Sequence, residues 1–263
     1  MIQQRMQSGF SLVELSIVLV ILGLLTGGIL GGQSLIRAAE LRSVSTEYNR
    51  YVAATQTFRD KYFALPGDMP NAATFWGLST ACAGADANGV CNGNNNGRID
   101  NPTGPNNPAE AWQFWTQLAK AGLVEGQFSG IAGPTEPNGY SYVKGVNTPA
   151  PKLSDAVWAP LWRDSVTVTP VSYAMNYGNH FLLARYVLNS SMGFGSLLLP
   201  EEAWNIDTKM DDGRPAQGNI IADVWDANCT AVNSGVHSNV NFDSSYNLGI
   251  REKRCGLYFR NAF

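Results

Sequence analysis

One segment decides what this chain can fold into. Residues 10–30, FSLVELSIVLVILGLLTGGIL, are apolar apart from Glu14 and a few small polar residues. As a helix, such a run spans roughly 30 Å, the thickness of a bilayer core. The residues before it, MIQQRMQSG, are polar and carry one cation, Arg5. An ordinary secretory signal places its small-residue cleavage site after the apolar stretch. Here the polar-to-apolar junction, Gly9-Phe10, comes first, so a cut there leaves the apolar segment in the mature protein.

Glu14 is the odd residue in that segment. A carboxylate inside a membrane span is costly unless it is paired or reaches water, and such residues are functional by default. The plain reading is a Glu near the membrane edge that snorkels to the interface. The sharper reading gives it a cation, and cleavage after Gly9 creates one in the new α-amino group of Phe10. One helix cannot easily satisfy both charges along its own axis. A neighbouring subunit, displaced along a bundle, places its Glu14 beside that amine.

Gly9-Phe10-Ser11-Leu12-Val13-Glu14 resembles the processing site of type IV prepilins and type II secretion pseudopilins. The resemblance implies cleavage between Gly9 and Phe10 by an inner-membrane aspartic prepilin peptidase, which also N-methylates Phe10. It puts Glu14 in the place of the family's assembly glutamate. It also implies a single-pass precursor in the bacterial inner membrane, with homologous pilin subunits as partners in a periplasmic or extracellular helical filament. Many pilins kink this helix with a late proline; Gly23, Gly27, Gly28, Gly31 and Gly32 stand in that part of the chain instead. Each glycine weakens a helix by about 1 kcal/mol relative to alanine, so they can supply a flexible or melting segment.

Beyond the membrane the helix is expected to continue. Leu41, Val44, Tyr48, Val52, Thr55, Phe58 and Tyr62 recur at steps of three and four, the spacing of one helical face. Arg37, Glu40, Arg42, Glu47, Arg50 and Arg59 lie mainly off that stripe, and Pro66-Gly67 is expected to end it. The organisation that follows is a leader at 1–9, a transmembrane and assembly helix at 10–32, an amphipathic continuation at 33–65 and a globular head at 66–263.

Within the head, residues 66–108 read as a long loop rich in Gly, Asn, Pro and Ala. A second helix is expected at 109–122, with Trp112, Trp115, Leu118 and Ala119 on one face, and a short one at Pro200–Met210. Strand-like runs occur at 139–146, 166–177, 180–188, 219–225 and 256–262, and the YGNH segment suggests a hairpin turn between the second and third. A long helix followed by hairpin-connected strands reads as α+β with an antiparallel sheet. This is also the pilin-like arrangement that the resemblance implies.

Cys82, Cys91, Cys229 and Cys255 are an even set without the paired spacing of a zinc site. In an exported chain they read as two disulfides. Three pairings are possible; the local ones, Cys82–Cys91 and Cys229–Cys255, are favoured because each closes a stretch rich in turn residues.

Signs of catalysis are missing. The two histidines, His180 and His237, have no nucleophile or carboxylate beside them in a recognisable motif, and there is no GxSxG, HExxH or phosphate loop. Asp207, Asp211 and Asp212 read as a helix end and turn, with a fainter reading as a cation site. Net charge is −3 with no cluster of Lys and Arg, which argues against nucleic acid as a partner. The stretch from Asn92 to Asp100 has ligand character: Asn92, Asn94, Asn96 and Asp100 offer oxygens, with Gly97 at the sixth position and Ile99 at the eighth, as in the first part of an EF-hand-type loop. No cofactor is certain; structural Ca2+ is the one candidate, beside the plainer reading of a polar loop pinned by a Cys82–Cys91 bridge, and Thr103 stands where that loop has Glu. Asp86, Asn88 or Glu110 would have to supply the missing charge.

The function these features support is that of a filament subunit rather than an enzyme. Pilus and secretion pseudopilus both fit. The alternative is a minor tip pilin whose head is a binding module, an adhesin or receptor, and exposed aromatic patches would favour that version.

Overall fold

The computed structural model describes residues 11–78, 82, 90–100, 109–131, 142–164, 173, 175–186, 194–223, 228–231 and 242–263. Helix α1 runs from Leu12 to Tyr62 without a break. Ser11 caps it: Ser11 Oγ accepts the Glu14 N–H at 3.2 Å, and Glu14 Oε2 accepts the Ser11 N–H at 2.8 Å. This reciprocal pair satisfies two amides that a helix start otherwise leaves open. The other end comes earlier than Pro66-Gly67. Phe63 adopts the left-handed conformation (φ 54°, ψ 29°), and its N–H closes the last turn on the Arg59 carbonyl at 2.8 Å.

After α1 come the short helix α2 (Ala72–Trp76), inside the stretch read as loop, and α3 (Glu110–Lys120). Then follow β1 (Ala156–Arg163), β2 (Gly178–Tyr186), β3 (Phe194–Gly195), α4 (Pro200–Met210), β4 (Ile220–Asp223) and β5 (Gly256–Phe259). The strands form one antiparallel sheet in the order β1-β2-β5-β4, with β3 paired to the end of β2. The fold is therefore α+β and pilin-like, a long N-terminal helix lying on an antiparallel sheet.

The outer half of α1 packs on one face of that sheet. Register places Trp158 with Leu183, and Pro160 with Phe181 and Phe259, on the same side. Tyr48 stacks on Phe259 with ring centroids 4.7 Å apart and meets Phe181 edge-on at 6.3 Å. Tyr51 meets Trp115 of α3 at 4.8 Å, and Trp115 lies flat on Phe181 at 5.8 Å. Such aromatic pairs add directional preference to a large buried apolar area. The opposite face carries His180, Leu182, Ile221 and Tyr258, all buried, with Tyr177 against Tyr258 at 4.8 Å.

Several sequence expectations need correction. The apolar stripe has the right period but is too narrow, since Tyr51 and Ala54 are buried as well. Glu47 is not off the stripe: it is buried, and both its oxygens are used inside the head. Helix α3 is not one-faced either; residues from Glu110 to Leu118 are all buried. The YGNH segment is no turn. Gly178, Asn179 and His180 are the first residues of β2, and His180 pairs with Leu161 of β1, a strand the pattern did not announce. Pro160 within β1 removes a donor, and the strand tolerates it because β1 is the edge of the sheet. Residues 142–146 hold one bridge, Lys144 to Thr148, instead of a strand. Most of the run expected at 166–177 lies outside the described residues.

Candidate functional site

Two regions carry functional side chains: the inner half of α1, and the loops at the far end of the head. From Leu12 to Ile36 every residue of the helix but the half-buried Gly32 is exposed, Leu12 at 89% and Leu35 still at 72%. It is apolar and long enough to cross a membrane, and none of its most apolar window is buried. Glu14 sits on its first turn as the capping carboxylate described above. The first tie to the head is Arg37. Its guanidinium forks onto Glu202 of α4, Nε to Oε1 at 2.6 Å and a terminal nitrogen to Oε2 at 2.7 Å, and reaches Glu40 at 3.0 Å. The Glu202 hydrogen bond raises the Arg37 pKa above its ordinary value against the cost of burial. Paired forks of this kind are geometrically demanding as well as strong, so the clamp fixes where the bare helix leaves the head. Gly9 and Phe10 lie outside the described residues.

At the other end, residues 92–100 wrap around two carboxylates that sit on other segments. Asp68 accepts the Asn96 N–H at 3.1 Å and the Gly97 N–H at 2.8 Å. Glu110, the first residue of α3, accepts the N–H groups of Asn94 and Asp100, both at 2.9 Å. Ile99 is fully buried beneath, and Gly97 takes the positive φ (76°) of the turn. Burial pushes the Glu110 pKa up to about 7, with the charges of Asp68 and Asp100 adding to it; burial raises Asp68 too. Sequence reasoning named Glu110 only as a charge reserve and missed Asp68, which no spacing rule connects to a loop so far along the chain.

The four side chains expected to hold calcium are occupied in this arrangement. Asn92 Oδ1 accepts the Ala73 N–H at 2.8 Å. Asn94 and Asn96 turn their oxygens to the N–H groups of Asn96 and Arg98, at 3.0 and 2.8 Å. Their carboxamide nitrogens converge on Asp100 Oδ2, at 2.7 and 3.1 Å. A cation needs oxygens at that meeting point, and the loop puts N–H groups there. To bring their oxygens inward, both carboxamides would have to turn round. Thr103, Asp86 and Asn88 lie outside the described residues.

The structure joins Cys82 to Cys91 and Cys229 to Cys255. Asp207, Asp211 and Asp212 come together at the end of α4. Asp207 is buried and accepts the Tyr246 hydroxyl at 2.8 Å and the Gly213 N–H at 3.1 Å. Burial raises its pKa to about 7, and Asp211 and Asp212 contribute. The Asp211 carboxylate accepts the N–H groups of Asn219 and Ile220, so the cluster ties the helix end to β4. His180 is buried between Tyr177 and Tyr258, and burial lowers its pKa to about 4. His237 lies outside the described residues.

A family model for the prokaryotic N-terminal methylation motif matches residues 4–30. That is the signature of type IV prepilins and pseudopilins. The chain has a prepilin-type N-terminus. No curated protein and no solved structure matches the chain. In a pilin-like chain the bare half of α1 is a membrane anchor in the precursor, and the clamp at Arg37 marks its boundary with the head. The oxidised cysteines are in keeping with a head that lies on the exported side of that anchor.

Proposed function

We propose that this pilin-like chain is a structural subunit of a type IV pilus-like or type II secretion pseudopilus filament. In this reading prepilin peptidase cuts between Gly9 and Phe10 in the inner membrane. The freed helix then leaves the bilayer for a bundle of like helices from homologous subunits. One observation carries it: an apolar helix uncovered from Leu12 to Ile36 projects from a head that has its own buried aromatic core. Apolar surface of that extent needs lipid or other helices around it. The motif's family is structural rather than enzymatic.

Processing is tested at Gly9, because a peptidase at the membrane face needs an unhindered residue before the cut. Gly9→Val is expected to leave full-length precursor in the inner membrane, read as a band of higher mass on an immunoblot. Mature protein at the normal level would overturn the reading.

A second reading is favoured by one specific observation. Phe63 is 92% exposed and Phe75 56% exposed at the end of the head furthest from the anchor. A minor tip pilin that displays its head as an adhesin or receptor would present such rings to a ligand.

A further inference from the structure

Among the described residues nothing requires phenylalanine at position 63. It occupies the left-handed position that closes α1, where glycine or asparagine is usual because a Cβ is strained there. Its ring is almost wholly in water and so gains nothing from the core. The ring stands at the lip of a cleft of about 600 Å³, whose lining includes Arg59, Asp60, Asp68, Asn95 and Asn179. Asp68 and Asn179 form the wall: Asp68 holds the loop as described, and Asn179 bonds the Ile99 N–H at 3.0 Å and the Gly97 carbonyl at 2.9 Å. The side chains of Arg59 and Asp60, both exposed, make no hydrogen bond or ion pair among the described residues.

We propose that this apical cleft is a saccharide-binding site, with Phe63 as its stacking plate and Arg59 and Asp60 as its hydroxyl-binding pair. Arg59 is offset by Asp60, and the second carboxylate, Asp68, is already taken up by the Asn96 and Gly97 N–H groups, so a neutral ligand is favoured over a free ion. A lipid chain would need a continuous apolar lining, and this one alternates charged, amide and apolar groups. A sugar ring offers what the cleft lacks: a flat C–H face for an aromatic ring and a rim of hydroxyls that donate to Asp60 and accept from Arg59. Strain and exposure at one residue are what a preformed contact would show. The inference rests on the second reading above only in needing the apex to be reachable.

The test is a glycan array of defined neutral oligosaccharides, probed with the full-length chain purified in detergent. At least one oligosaccharide is expected to be retained, and retention should survive high salt. Phe63→Gly should lower the signal by about tenfold or more, the loss of one good ring contact. The same variant should melt no lower than the natural chain, since glycine enters the left-handed region freely. Leu248→Ala, exposed but outside the cleft, should bind as the natural chain does. No retained oligosaccharide, retention abolished by salt, or unchanged binding by Phe63→Gly would each overturn the site. So would a Phe63→Gly chain that binds sugar normally but fails to form filaments, which would make a second copy the occupant. Binding by the solubilised chain but not by whole filaments would uphold the cleft and count against tip display alone.

Discussion

Glu47 shows how a residue that looks like solvated helix surface becomes a fastener. Its Oε2 accepts the indole N–H of Trp158 at 3.0 Å and its Oε1 the Lys152 N–H at 2.9 Å, so it binds α1 to β1 from inside the core. Removing it strands the buried Trp158 indole N–H, at about 1–3 kcal/mol, and the half-buried Lys152 N–H at less. Glu47→Ala is therefore expected to destabilise the chain by about 2–4 kcal/mol, and Glu47→Gln by less because one oxygen remains. Denaturant titration followed by tryptophan fluorescence reads the difference; equal midpoints for Glu47→Ala and the natural chain would refute the assignment. Protons report on other buried groups. Glu110 and Asp207 hold their protons in the folded state to about pH 7, against ordinary values of 4.5 and 3.8. The folded chain thus binds more protons than the unfolded one across that interval, and stability falls as pH rises through it. His180 works the other way between about 4 and 6.5, because it is neutral when folded and charged when unfolded. Two carboxylates outweigh one imidazole, and above pH 6.5 they act unopposed. The melting midpoint should be higher at pH 5 than at pH 7.5, with a shallower slope in Asp207→Asn; a midpoint that climbs over that interval would contradict both shifts. None of this was legible in the sequence. A carboxylate's partners are set by folding, and Glu47 lies more than a hundred residues from Trp158.

Elements with local causes were read well, and elements with distant causes were not. Helix α4 begins at Pro200 and ends at the Asp211-Asp212-Gly213 turn, as its own residues require. The start of α1 is likewise written in Ser11 and Glu14. Strand β1 was missed because Pro160 argues against a strand, and only its place at the sheet edge makes the proline harmless. The YGNH segment carries turn residues, yet Asn179 is spent on holding residues 97–99 against β2. Helix α3 works as a hub in the same way. Gln113 accepts the Cys91 N–H at 2.9 Å and donates to the Gly130 carbonyl at 2.7 Å. Gln117 accepts the Gly67 N–H at 2.7 Å and donates to the Cys91 carbonyl at 3.1 Å. Gly67 itself cannot carry a side chain, since a Cβ would lie 2.5 Å from the Glu110 carbonyl oxygen. The loop at 92–100 is thus closed by protein donors and acceptors, and calcium would bind only if two carboxamides gave up their turns. A melting curve of the full-length chain should not shift between millimolar calcium and chelator, whereas Asp68→Ala should lower the midpoint by removing the acceptor for Asn96 and Gly97. A rise with calcium that is lost in Asn94→Ala with Asp100→Ala would restore the metal reading.

At the scale of the whole molecule, the chain divides its apolar surface into two parts with different covers. The head buries its own aromatic core around Phe181. The inner half of α1 buries nothing; in the precursor it calls for a bilayer, and in the proposed filament a mature subunit exchanges that for neighbouring helices. Glu14 is the one charge that must make that transfer. In the monomer it caps its own helix by accepting the Ser11 N–H, which leaves its second oxygen without a partner among the described residues. Cleavage before Phe10 adds an ammonium group beside the positive end of the helix dipole, where a cation is disfavoured. A carboxylate from an adjacent helix relieves both charges at once, and in a low-dielectric bundle an unpaired one is strongly destabilising. Glu14→Gln keeps the size and the capping oxygen but not the charge. It should therefore be cleaved like the natural chain, give a helix of the same length, and fail to enter filaments sheared from cells. Co-expression with natural subunits is the sensitive form of the assay, because isolated Glu14→Gln copies have to be tolerated one at a time. Filaments built at normal yield from Glu14→Gln subunits alone would show that Glu14 serves its own helix and nothing beyond it.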